Sequence, residues 1–78
     1  MVRARFLGGL VTKCGTEIVI YRECVSLEEL LREVERVCGE SAEELGIAVL
    51  YRGRVLDPEA HSEEVCGDAV VIPVAGGG

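Results

Sequence analysis

Between Ser26 and Gly39 the chain carries a helical period with both of its ends marked. Ser26-Leu27-Glu28-Glu29 has the form of a capping box: the Ser26 hydroxyl accepts from the Glu29 amide, and the Glu29 carboxylate reaches back to the Ser26 amide. Behind it Leu27, Leu30, Leu31, Val34, Val37 and Cys38 fall on one helical face. Glu28, Glu29, Arg32, Glu33, Glu35 and Arg36 take the other, and Gly39 stands where a left-handed C-cap belongs. The apolar stripe is read as core and the charged one as a solvated face. The other patterned segments alternate or run apolar in the manner of strands. One main helix covers one face of a sheet. The expected class is therefore α+β, a mixed sheet of four to five strands under a single main helix.

The strands are read from period and composition. Val2, Ala4 and Phe6 alternate with Arg3 and Arg5, the period of a half-buried strand. Gly8-Gly9 interrupts it as a bulge or the start of a loop, and Lys13 to Thr16 reads as a turn. Residues 17–22, rich in β-branched and aromatic side chains, form the second strand of an N-terminal hairpin. Ser41-Ala42-Glu43-Glu44 caps a single turn that Gly46 ends. Residues 47–52 make a third strand, and Gly53 turns the chain into Val55-Leu56. Asp57-Pro58 places a capping side chain before a first-turn proline, which predicts a short turn of helix over 58–64. Cys66-Gly67-Asp68 turns once more before a last strand over 69–74. The order β-β-α-β-(β)-β is the one expected of a β-grasp domain. It spans residues 1–75, with a flexible glycine-rich tail over 76–78.

Composition narrows the function classes. With 78 residues there is one domain and no second core. Eight Lys and Arg against 14 Asp and Glu give a formal net charge of −6, which argues against a nucleic-acid partner, since backbone phosphates require a basic face. No apolar run approaches the ~20 residues of a membrane span, and the N-terminal stretch lacks the uninterrupted apolar core of a signal peptide. A cytoplasmic protein with no membrane partner is expected. The chain has no Asn or Gln, and seven of its eight basic residues are Arg; loss of thermolabile amides is a feature of proteins from hot environments, and a GC-rich genome produces the same bias. Intracellular disulfides are rare outside organisms of hot environments. Cys14, Cys24, Cys38 and Cys66 are therefore either reduced or joined in one of three complete pairings. Cys38, on the helix stripe, reads as a small buried apolar residue.

Two alternatives are disfavoured by spacing. A plant-type iron–sulfur site needs C-x4-C-x2-C, whereas 9, 13 and 27 residues separate successive cysteines here. No C-x-x-C exists for zinc or thiol exchange, and no bound metal or cofactor is expected. His61, the single histidine, lies in a polar stretch without a paired acid or base and reads as a solvated loop residue.

The C-terminal stretch carries the strongest functional signal. Gly67-Asp68-Ala69-Val70-Val71-Ile72-Pro73-Val74-Ala75-Gly76-Gly77-Gly78 resembles the ending of the molybdopterin-synthase small-subunit (MoaD) family: a Gly-Asp turn, an apolar strand, Pro-Val and a Gly-Gly terminus. Tyr51-Arg52-Gly53-Arg54-Val55-Leu56 is similar to a hairpin of ubiquitin-like proteins, in which a Gly-Arg or Gly-Lys turn precedes an aliphatic pair. The wider group includes the thiamin sulfur carrier (ThiS), the ubiquitin-related modifier and the archaeal small modifiers. The specific motifs cover roughly residues 50–78.

The resemblance implies a carrier protein rather than an enzyme. An E1-like enzyme would use ATP to adenylate the carboxylate of Gly78, with Gly76 and Gly77 as the flexible lead into its channel. A sulfur donor then yields a thiocarboxylate, delivered to a large synthase subunit for molybdopterin synthesis or a related thiolation. The alternative is transfer of the acyl group to lysines of target proteins, a small-modifier role. The family ends in two glycines where this chain has three, which leaves trimming of Gly78 open. A passive ubiquitin-like interaction module is the third reading. Lys13, the sole lysine, is the one available isopeptide acceptor.

A partner surface follows from the strands themselves. Residues 47–50 and 69–74 are apolar at nearly every position, as if buried on both faces, yet one helix covers one face. The other face is expected to expose an aliphatic patch drawn from Leu50, Val70, Ile72 and Val74, and contiguous patches of this kind mark docking surfaces.

Overall fold

The helix forms where its two caps require. In the computed structural model, which describes residues 1–57, 59 and 63–74, α2 runs over Leu27–Cys38. Ser26 accepts from the Glu29 amide and Glu29 reaches back to Ser26, so the capping box is closed. Gly39 ends the helix in the left-handed conformation at φ 78°. Leu27, Leu30, Leu31, Val34 and Cys38 are buried, each large aliphatic side chain contributing about 1.5–3 kcal/mol. Val37 departs from the expected stripe. It lies at the margin of the buried face and is exposed.

The helix packs on a five-stranded mixed sheet formed by β1 (Val2–Phe6), β2 (Glu17–Ile20), β4 (Ile47–Tyr51), β5 (Arg54–Leu56) and β7 (Asp68–Pro73). Their spatial order is β2-β1-β7-β4-β5. β1 and β2 form the N-terminal hairpin, and β4 runs antiparallel to both β5 and β7. β7 lies parallel to β1, with Arg3 opposite Asp68 and Phe6 opposite Val71. The alternation of β1 places Val2, Ala4 and Phe6 on the helix side, where they join Ile18, Val49, Ala69, Val71 and Leu56 with the α2 stripe in one core. A short helix, α3 (Ala42–Leu45), follows Ser41, whose hydroxyl accepts from the Glu44 amide, and ends at Gly46. This is the single capped turn that the sequence indicates. Among the described residues no helix is long and apolar enough to cross a membrane.

Three features depart from the sequence reading. The first is α1 (Leu10–Cys14), in place of the loop and turn expected after Gly8. Gly8, at φ 61°, turns the chain out of β1, and Leu10 and Cys14, one helical turn apart, are both buried. The second is a two-stranded ribbon of β3 (Cys24–Ser26) and β6 (Glu64–Cys66). Glu64 and Cys66 therefore belong to a strand; of the helical turn expected over 58–64, residues 58 and 60–62 lie outside the described residues. Val25 and Val65 of the ribbon point into the core. Third, of the states left open for the cysteines the structure shows a complete pairing, Cys14 with Cys38 and Cys24 with Cys66, which changes the reading of one of them. Cys38 is buried on the helix stripe as expected, but as half of a cross-link that ties α1 to α2 rather than as a free apolar residue.

Candidate functional site

The pleat of the sheet decides which side chains the helix leaves uncovered. The register runs from Glu17 to Arg5, from Arg5 to Val70, from Val70 to Leu50 and from Leu50 to Val55. This single cross-strand row spans all five strands on the face opposite α2, because the residues flanking Arg5, Val70 and Leu50 along their strands are core positions, as are Ile18 beside Glu17 and Leu56 beside Val55. Ile72 and Ala48 form a second pair beside it. Leu50, Val70 and Ile72 are half-buried by their neighbours, and Val55 at the sheet edge is 62% exposed. Three of the four residues expected on the uncovered face are therefore brought together there.

Val74 is not on that face. It lies beyond the end of β7 and, with Leu31 and Ile47, forms an apolar side of an open groove of about 670 Å3 beside α2 and α3. The alternation that would have carried Val74 to the sheet's outer face is lost because its partner Gly46, still bonded to the Val74 amide, is the left-handed cap of α3 and no longer strand. The groove has an acidic margin that includes Glu35, Glu43 and Asp57. Glu35 is engaged there: its carboxylate accepts from the Ala42 amide at 2.6 Å.

The charged part of the outer face lies toward β2. Arg3 faces Glu17 at 3.6 Å, and Arg5 stands between Glu17 and Val70 in the row. Chemically the face offers apolar contact over β7, β4 and β5, bordered by two guanidinium groups and a carboxylate over β1 and β2. Such a surface suits a partner that buries aliphatic side chains and pairs charges at the rim, the usual anatomy of an interface.

The end of β7 is held from both sides. The Val74 amide donates to the Gly46 carbonyl at 2.7 Å, and the Leu7 amide donates to the Val71 carbonyl at 3.1 Å. On the α1 side the Pro73 ring lies 3.5 Å from the point a Cβ on Gly8 would occupy, and any side chain at Gly8 would also have to adopt its left-handed backbone. Val74 is 51% exposed. Gly76, Gly77 and Gly78, like His61, lie outside the described residues.

Lys13, on α1, pairs with Glu40 at 2.9 Å across an exposed surface. Sequence reasoning missed that Tyr51, in the apolar run of β4, is buried and uses its hydroxyl to hold the backbone of Cys66 on β6. A buried tyrosine hydroxyl requires a partner, but nothing in its sequence neighbourhood identifies one 15 positions away. No protein-family model matches the chain, and no curated protein shows significant similarity to it.

Proposed function

We propose that this chain is a ubiquitin-like β-grasp carrier whose C-terminal glycine is activated by an E1-like enzyme and loaded with sulfur as a thiocarboxylate. The observation that carries the reading is the position of β7. The strand that leads into Ala75-Gly76-Gly77-Gly78 sits between β1 and β4 and is pinned at its end by Gly46. A tail that follows it is attached to the central strand of the sheet. The N-terminal hairpin, one main helix on one face and the parallel pairing of β1 with β7 support the β-grasp assignment.

In this reading the carrier supplies a nucleophile and later an acyl group, while its partner supplies the catalysis. The terminal carboxylate attacks the α-phosphate of ATP, forming an acyl-adenylate and releasing pyrophosphate. A sulfur nucleophile then displaces AMP. Glycines without Cβ atoms allow the backbone to lie against the walls of a narrow channel. The aliphatic row at Val70, Leu50 and Val55 docks the body, and the adjoining Arg3 and Arg5 orient it. Sulfur carriage is favoured over conjugation to lysines because Pro73-Val74-Ala75-Gly76-Gly77 follows the molybdopterin-synthase small-subunit pattern.

The test is incubation with an E1-like enzyme, ATP and a sulfur donor, followed by intact-mass measurement. Replacement of one terminal oxygen by sulfur is the expected result. Slower-migrating species bearing the chain on target lysines would favour the modifier role. An unchanged mass with an enzyme that activates other carriers, and no conjugates, would leave only the passive module and overturn the proposal. Deletion of Gly77 and Gly78 should abolish loading without moving the unfolding midpoint.

A further inference from the structure

We propose that Cys24, Glu64 and Cys66 form a redox-gated site for a thiophilic divalent cation of the zinc type. Their sequence spacing shows no metal motif; the fold assembles the site. Glu64 and Cys66 are two residues apart on β6 and so share one face of the strand, and Cys24 on β3 stands directly opposite Cys66. The three potential ligand atoms lie within 4.8 Å of one another, with Glu64 Oε1 3.9 Å from Cys66 Sγ. Zinc binds thiolate at ~2.3 Å and carboxylate at ~2.0–2.2 Å, so ligands of one tetrahedral ion fall within such a span.

The surroundings hold the ribbon that carries the three groups in place. The opposite face of the ribbon is anchored by Val25 and Val65, at 2% and 0% exposure. The Tyr51 hydroxyl accepts from the Cys66 amide at 3.1 Å and donates to the Cys66 carbonyl at 3.3 Å, which fixes the backbone of one ligand from behind. The net charge of −6 adds a general attraction for cations.

The two disulfides also differ in access. Cys14 and Cys38 are 6% and 9% exposed, whereas Cys24 and Cys66 are half-buried at the surface. A dithiol reductant therefore meets the Cys24–Cys66 bond first. It delivers two electrons and two protons, the S–S bond breaks, two thiols form, and the reductant leaves as its own disulfide. The cation then displaces both thiol protons to solvent and is held by two thiolates and the Glu64 carboxylate, with water in the fourth position. A disulfide oxidant reverses the change by thiol–disulfide exchange: it takes up the two electrons and two protons from solvent, leaves as its own dithiol, and the ion is released as the Cys24–Cys66 bond re-forms. The site is independent of the reading given to the C-terminus.

The test uses the full chain and Co2+ as an optical probe, with Zn2+ as competitor. Oxidised protein should show no thiolate-to-cobalt charge-transfer band. After anaerobic treatment with a dithiol and its removal, one equivalent of Co2+ should bind and be displaced by Zn2+. Alkylation and mass spectrometry should place the free thiols at Cys24 and Cys66, with Cys14–Cys38 intact. Glu64→Gln, which retains both thiols, should weaken binding about tenfold or more, and Cys24→Ser should abolish the band. Circular dichroism of the reduced wild-type chain and of Glu64→Gln separates loss of a ligand from loss of the fold. Absence of the band in reduced protein, an unchanged affinity in folded Glu64→Gln, or free thiols at Cys14 and Cys38 instead would overturn the proposal.

Discussion

The buried hydroxyl of Tyr51, on β4, both accepts from the amide and donates to the carbonyl of Cys66 on β6. One side chain thereby joins the main sheet to the small ribbon, and neither backbone group of Cys66 is left to find a partner elsewhere. Replacing Tyr51 with Phe preserves the ring in the core but strands both groups. Leaving such groups unsatisfied costs about 1–3 kcal/mol; the partial exposure of Cys66 places this change toward the lower end. Urea unfolding should show a lower midpoint with an unchanged slope.

The capping box sets the start of α2. Ser26→Ala removes the acceptor for the Glu29 amide, and losses of this kind cost about 1 kcal/mol. Ser26→Asp should restore most of the stability, because it keeps an acceptor oxygen and places a negative charge at the positive end of the helix dipole. Chemical denaturation of the two variants beside the parent checks both outcomes.

Glu29 and Glu33 give the fold an acid-sensitive component. The hydrogen bond from Arg22, then that from the Ser26 amide, lowers the Glu29 carboxyl below its ordinary range, and Arg36 does the same for Glu33. A carboxyl with a depressed folded-state value stabilises the fold above its unfolded value, about 4.3 for Glu. That contribution disappears as pH falls through the lower folded-state value. Both groups are exposed to solvent, so the effect is small and screened by salt. Stability should decline on acidification below the ordinary Glu range, and Glu29→Gln should flatten part of that decline at low ionic strength.

The buried cross-link between Cys14 and Cys38 closes a loop with a sequence separation of 24. On the chain-entropy model a loop of that size stabilises by about 3–4 kcal/mol. The paired change Cys14→Ala, Cys38→Ala should cost about that much and lower the thermal midpoint, as read by calorimetry, while α2 keeps its helical signal.

If the uncovered face docks an activating enzyme, a charge in the middle of its row should impair docking more than folding. Leu50→Glu places a carboxylate beside Val70 and Val55 on a half-exposed surface. Loading by an E1-like enzyme should fall at least about tenfold, in line with the loss of an interface anchor, with only a modest change in the unfolding midpoint. Equal loading of this variant and the parent would remove the outer face from the proposed interaction.

The sequence made the large elements legible because each carries its own period. Val2, Ala4 and Phe6 alternate, the α2 stripe recurs at helical spacing, and Gly39 and Gly46 mark helix ends by conformation. From these the strands of the main sheet and an uncovered face containing Leu50, Val70 and Ile72 could be read. What escaped depends on contacts between distant residues. β3 and β6 have three residues each, too few to show a period, and form because Cys24 meets Cys66 across the fold. In α1, Leu10 and Cys14 make a single helical contact whose value comes from the core beneath. Val74 was misplaced because alternation was extended one residue past Pro73, to a position whose partner Gly46 is the left-handed end of α3 rather than strand.

The parallel alignment of β1 and β7 also has a mechanical meaning. Tension applied at Val2 and at Pro73 would pull the two neighbours lengthwise past one another, loading the rungs between them together instead of peeling them away in sequence. A motor that threads the chain from either side of this pair must overcome that collective resistance, so the domain should yield to force far less readily than its modest size suggests.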